Sequence, residues 1–421
     1  MSDTAVTHEV MGVPSGGGIG TGRLPQLEGL RGLAATTVVV WHFLWAFAPW
    51  ELGTVAGWPS QGLAGSVATA LMDGPAAVAL FFVLSGFVIP LRLFRSGQSR
   101  AVVEAAAKRW PRLAGLTLLA VLFAWVLFHF GLFHYREAGD LTGSDWLASY
   151  GGSQPDRTPT PSLAGAVHEG LVGAFLNTTD AYDPVLWTMR HELFGSFLSM
   201  ALALVIRRLP IPACGAVLMS AAALATAVDP WLLSFVAGTG LAFVVWTRRA
   251  RLSAFATSVS ISIGLFLFGY LEPAGAYSFI PLIQDAAGYR YDRIVLHTMS
   301  GLLIILGLVS NERIGRAFTA KPLLLMGRLS FPVYVFHFPL LCSLGCGLFV
   351  MFRQSMSYEG SIVLVAAIYA SAVLLTGGLL VRVDDAWGAW LNRLSSLLLA
   401  QTARALAPLF KDGRRCKVLR Q

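Results

Sequence analysis

Charge is what this sequence has least of. Of its 421 residues only 13% are charged, while 55% are hydrophobic. An ordinary soluble domain carries roughly 25% charged residues. A chain this apolar cannot cover its whole surface with water-facing groups, which excludes an ordinary soluble enzyme. Disorder is excluded for most of the length as well, because it needs low hydrophobicity and high net charge. Cysteine is scarce too: Cys214, Cys342, Cys346 and Cys416 are the four, and none forms a CxxC pair. Neither a disulfide framework nor a metal site is implied. Cys342 and Cys346 share a helical face and read as small core residues. No internal repeat is visible, and no soluble domain is appended.

What is present is a series of long apolar runs. The length of 421 residues accommodates about ten membrane spans at ~20 apolar residues each plus loops. The runs are Leu30–Pro49, Pro75–Leu91, Leu113–Phe133, Val185–Ile206, Ile211–Val228, Trp231–Trp246, Ser253–Leu271, Ile294–Ser310, Phe331–Phe352 and Ser361–Val381. The expected fold is an all-α integral membrane protein, a bundle of about ten transmembrane helices within residues 24–381. Residues 1–23 read as a flexible tail, since their glycine run follows no strand and breaks the dinucleotide-binding spacing. The first run is too long, and too closely followed by others, for a cleaved signal peptide. Residues 382–421 read as a basic amphipathic tail, with Ala386–Leu409 lying on the membrane surface.

The charges give a direction. With the N-terminus inside, the inner segments hold 25 of the 31 Lys and Arg but only 8 of the 23 Asp and Glu. The positive-inside rule then places both termini in the cytoplasm of a plasma-membrane protein. The net charge of +8 is therefore a topology signal, not the footprint of a nucleic-acid partner, and the basic inner surface suits anionic lipids. The outer segment Tyr135–Pro184 is polar and acidic, with no interpretable motif. Its Asn177-Thr178-Thr179 sequon reads as a chance match.

Ionisable groups inside a membrane cost ~2.5–3.5 kcal/mol on insertion scales, so each marks a candidate site. Arg31 and His42 lie eleven positions apart in the first run, within about 20° of one helix face and about 16 Å apart along the axis. The alternative is a snorkelling arginine and a histidine bonded to a neighbouring helix. Arg109 and Arg112, with Pro111 between them, precede the third run. Placed at a helix N-terminus, they suit a polyphosphate; otherwise they are a plain positive-inside cluster. Glu192 sits about one turn into the fourth run and needs a partner on another helix, because neighbours at i+1 and i+2 point apart. Tyr334 and His337 share a face in the ninth run, where Pro339 frees a carbonyl and kinks the helix. His129, His134, His168 and His297 read as isolated.

These segments, in this order, resemble the membrane acyltransferase-3 family. Arg31, ten residues and His42 match its first-span hallmark. Phe81-Phe82-Val83-Leu84-Ser85-Gly86-Phe87 is similar to its second-span signature, and Arg109-Trp110-Pro111-Arg112 to its RxxR element. Trp187 to Phe194 resembles its W-x-L-x-x-E-x-x-F segment with Met189 in place of Leu, and Ser330 to Pro339 its S-[YF]-x-x-Y-x-x-H-x-P ending.

The resemblance implies O-acyl transfer from cytoplasmic acyl-CoA, acetyl-CoA first, to a hydroxyl of a sugar-bearing acceptor such as a glycan, glycolipid or glycosylated natural product. It implies acyl-CoA as co-substrate and no permanent cofactor or metal. Arg31, Arg109 and Arg112 would hold the phosphates of CoA. His42 would be general base or acyl carrier. Glu192 would orient the imidazole or the acceptor. Ser85 would bond an oxyanion or serve packing, and Tyr334 and His337 would support. A proton-coupled exporter with an intramembrane His/Glu site is the competing reading.

Overall fold

A computed structural model describes residues 24–52, 63, 65–97, 99–152, 162–177, 180–248, 251–272, 274–281 and 292–411. The N-terminal tail, two of the three sequon residues and Cys416 lie outside them. The described residues form helices and no strands. Eight helices are long and apolar enough to cross a membrane, and Leu232–Arg248 and Ala254–Phe268 are shorter apolar ones. The protein is an all-α, multi-pass membrane protein.

Every apolar run is a helix, and some of the helices outlast their runs. The first two are α1 (Pro25–Phe47) and α2 (Gly74–Ser96). Proline near the start of each costs no hydrogen bond. The Asp73 carboxylate caps α2 through the Ala76 N–H at 2.8 Å, and Gly97, with φ of 67°, ends it. Helix α3 (Ser99–His129) has 31 residues, about 46 Å of rise against a hydrocarbon core of about 30 Å. It begins at Ser99, not at Leu113, because Glu104 to Lys108 are good helix formers whether or not lipid surrounds them. Pro111 therefore lies inside the helix, and Arg109 and Arg112 are not at a helix N-terminus. The orphan N–H groups expected beside them are absent.

The polar segment after α3 folds into α4 (Tyr135–Thr142), α5 (Asp145–Ala148) and α6 (Leu163–His168), the last continuing as a π-helical turn to Asn177. Then follow α7 (Trp187–Ile206), α8 (Ile211–Val228), α9 (Leu232–Arg248), α10 (Ala254–Phe268), α11 (Asp292–Ser310) and the short α12 (Glu312–Ala317). Helix α13 (Lys321–Leu340) runs through a π turn into α14 (Cys346–Phe352). Helix α15 (Tyr358–Lys411) is one continuous helix. The separate surface-lying C-terminal helix expected from the sequence is instead the extension of the last span.

Helix α2 is the hub, packed on α1, α7, α9 and α11, while α13 lies between α1, α3 and α15. The closest crossings use glycine. A Cβ on Gly238 of α9 would collide with the Val83 carbonyl of α2, and one on Gly86 with the Phe235 backbone. His191 Nε2 meets Asp229 at 2.9 Å and ties the start of α7 to the α8–α9 turn. Burial alone would raise the Asp229 carboxyl, but the hydrogen bond and charge of His191 outweigh it and hold it below the ordinary range.

Candidate active site

Helices α1 and α13 run parallel and in register. A Cβ on Gly32 or Gly327 would collide with the backbone of the opposite helix, so the two chains touch there. Ten residues further along each helix, about 15 Å of rise, His42 meets His337. The Nδ1 of His42 lies 2.8 Å from the Nε2 of His337. The first-span motif and the ninth-span motif are thus two halves of one contact.

The hydrogen-bond network fixes the tautomers. His337 Nδ1 lies 2.6 Å from the Tyr334 carbonyl, an acceptor only, so this nitrogen carries the proton. His337 Nε2 then accepts, and His42 Nδ1 donates to it. The lone pair of neutral His42 is left on Nε2. His337 is wholly buried, and its own carbonyl accepts from the Tyr369 hydroxyl of α15 at 3.0 Å. Tyr334 acts one step back: its hydroxyl meets Thr188 Oγ1 at 2.9 Å and donates to the Val185 carbonyl at 3.1 Å. It pins the start of α7 to α13.

His42 is half-buried and lines a cavity of about 920 Å³. Trp45, Trp146, Trp187 and Phe338 form its apolar walls, and Arg136, Asp140 and Asp145 bring charge to it. The His42 ring stacks on Trp146 at 5.4 Å and 7°, and Trp146 stacks on Trp45 at 4.7 Å and 3°. The Ser144 hydroxyl donates to the Trp45 carbonyl at 2.7 Å, which fixes α5 over the end of α1. Much of this wall comes from the segment in which the sequence offered no motif. A tryptophan in a four-residue helix gives no periodic signal, so Trp146 was out of reach of sequence reasoning.

Glu192 does find its partners on other helices. Ser85 of α2 donates to its Oε1 at 2.6 Å, and the Arg109 guanidinium of α3 pairs with the same oxygen. Arg109 Nε donates to Ser196 Oγ, one turn further along α7, at 2.9 Å. An ion pair deep in a bundle needs such extra bonds to offset desolvation. The expected contact between Glu192 and the His42 imidazole is not made: the Nδ1 partner is His337. Gly86 does the packing in the Ser-Gly pair, and Ser85 does the bonding.

The three arginines expected at the donor end have carboxylate partners of their own. Arg31 reaches Glu28 at 3.4 Å. Arg112 makes a two-pronged pair with Asp384 of α15. Arg31, Arg92 and Arg112 all lie within electrostatic range of Arg109, so the cationic cluster is real even though its members are paired. The extension of α15 docks here through Trp387, whose indole N–H donates to the Pro111 carbonyl at 2.8 Å, and through Arg328 and Asp385 at 2.5 Å.

Two further groups escaped the sequence. His297, read as isolated, lies with Nε2 3.6 Å from Asp73 Oδ2, and Arg293 approaches the same oxygen at 3.7 Å. Burial pushes the Asp73 carboxyl up to about 7 against the pull of Arg293. Glu169, also buried, accepts from the N–H groups of Ala181 and Tyr182 at 3.0 and 2.9 Å. Among the described residues, no three His, Cys, Asp or Glu converge as metal ligands do.

A multi-span helical bundle with a cavity lined by His42, itself paired with His337, is the setting in which the sequence comparisons fall. The profile of the acyltransferase domain family matches residues 24–382, and the chain belongs to that family. It is a membrane-embedded acyltransferase, which removes the exporter reading. The chain is similar to the O-acetyltransferase PaAT-1 of Phomopsis amygdali, 23% identical over 366 residues that cover 76% of this chain and 72% of that protein. No solved structure matches it.

Proposed function

We propose that the protein transfers a short acyl group, acetyl first, from acyl-CoA to a hydroxyl of a sugar-bearing acceptor. The observation that carries this reading is the His42–His337 pair, which leaves the lone pair of neutral His42 on Nε2 of a ring that lines the cavity. The basic end of the bundle is cytoplasmic and the cavity opens outward, in a plasma-membrane protein whose domain spans residues 24–381 between cytoplasmic tails 1–23 and 382–421. CoA phosphates exchange for Glu28 and Asp384 at Arg31 and Arg112, and the thioester arm extends toward His42. Arg109 adds positive potential from within.

The acceptor hydroxyl gives its proton to His42 Nε2 as its oxygen bonds to the thioester carbon. The carbon–sulfur bond breaks, and the CoA thiolate recovers the proton from the imidazolium. His337 holds the ring in the productive tautomer, as the carboxylate does in a hydrolase triad. Glu192 positions Arg109 and Ser85. The O-acetyltransferase named above, similar over most of its length, supports the choice of acetyl and of oxygen. The test is radiometric: purified protein in detergent, labelled acetyl-CoA and sugar glycosides. Label on the glycoside hydroxyl is expected; CoA release with no acylated glycoside would overturn the reading.

A further inference from the structure

The cavity at His42 carries unequal charge, and that bears on what enters it. Asp140, at the end of α4, and Asp145, at the start of α5, both line it. Neither side chain has a hydrogen bond or ion pair among the described residues. Arg136 is the one cation among the described lining residues, and its guanidinium also lies over the Tyr135 ring at 5.9 Å. The surrounding segment reinforces the sign: residues 135–184 hold seven Asp and Glu against two Arg. A cavity with low-dielectric walls focuses such a field.

The apolar walls specify shape. Trp45 and Trp146 are stacked within 3° of parallel, and Trp146 is continuous with the His42 ring. A flat indole wall takes the C–H face of a sugar ring, burying apolar area while hydroxyls stay free at the rim. Carboxylates at that rim accept hydrogen bonds and donate none.

Resting on the acceptor reading of this cavity, we infer that the acceptor sugar is neutral or amine-bearing, and that sugars carrying a carboxylate or phosphate are excluded. Asp140 and Asp145 take hydrogen bonds from its hydroxyl or ammonium groups. An anionic sugar meets two like charges and leaves both without donors. The two residues are thus specificity determinants and take no part in the chemistry at His42.

The experiment compares methyl glucoside, methyl glucosaminide and methyl glucuronide as acceptors for the full-length protein in detergent with labelled acetyl-CoA. Acyl transfer is followed radiometrically and binding by saturation-transfer NMR. The glucoside and glucosaminide are expected to be used with kcat/KM at least about tenfold above the glucuronide, a gap that two like charges at close range supply. High salt should narrow it. The double variant Asp140→Asn, Asp145→Asn should bring the glucuronide to within about threefold of the glucoside, with CoA binding unchanged as the check on folding. Equal use of all three by the parent protein, or an unchanged ratio in the double variant, would overturn the charge rule alone. Failure to bind or acylate any of the three would overturn the sugar reading and the charge rule together.

Discussion

His42 Nδ1 and His337 Nε2, 2.8 Å apart, join two parallel helices whose glycines touch ten residues earlier. The pair makes His337 a positioning residue. His337→Ala should leave the KM for acyl-CoA near the parent value and lower kcat by roughly 10²-fold, within the range a misplaced general base costs. His337→Gln, which keeps an acceptor near Nδ1, should recover part of that loss. Steady-state kinetics of the two variants check it; an effect on KM alone would speak against the role.

The Glu192–Arg109 pair should behave as a coupled buried unit. Glu192→Ala strands the guanidinium and should destabilise the protein by about 3–5 kcal/mol, as breaking one side of a buried pair does. The double variant Glu192→Leu, Arg109→Met should be more stable than either single variant. Thermal unfolding in detergent measures both; additive losses would mean that the two side chains do not depend on each other.

On the proposed donor reading, CoA must displace Asp384 from Arg112. Asp384→Asn should tighten CoA binding, and Arg112→Ala should weaken it by on the order of 1.5–3 kcal/mol, the worth of a hydrogen bond to a charged group. Isothermal titration with CoA reads both directly. A weaker, not tighter, complex with Asp384→Asn would make the pair a scaffold for the donor end.

Glu169 gives the polar segment between α3 and α7 a pH dependence. Burial pushes its carboxyl from 4.5 up to about 7, against the N–H donors of Tyr182 and Ala181. Between those values the folded protein holds a proton that the unfolded chain has released, so this contribution is present at low pH and is lost as pH rises through about 7. Glu169→Gln should flatten the decline of the melting temperature between about pH 5 and pH 7.5. An unchanged slope would mean that another group sets it.

The bundle was legible because hydropathy marks where lipid is, and each of the ten runs is a helix. The ends were less so. Helix α3 starts at Ser99 and α13 at Lys321, because a helix continues into water where the apolar run stops, and α15 carries on through Asp384 for the same reason. Spacing put Arg31 and His42 on one face and gave Glu192 a need for a partner. It could not say that the partners were Arg109 and Ser85, since nothing local links α2, α3 and α7. The cavity wall at Trp146 and the Asp73–His297 contact were equally hidden, being assembled from short polar helices and loop ends.

The central claim is that His42 Nε2 takes the acceptor proton. The direct measurement is acyl transfer by His42→Ala in purified protein, alongside CoA binding and a test for label retained on the parent protein when labelled acetyl-CoA is supplied without acceptor. The account predicts CoA binding within about twofold of the parent, loss of transfer by ~10²–10⁴-fold or more, and no acyl-protein on the parent. Transfer by His42→Ala at the parent rate would contradict it, and label on the His42 imidazole would replace the base with an acyl carrier.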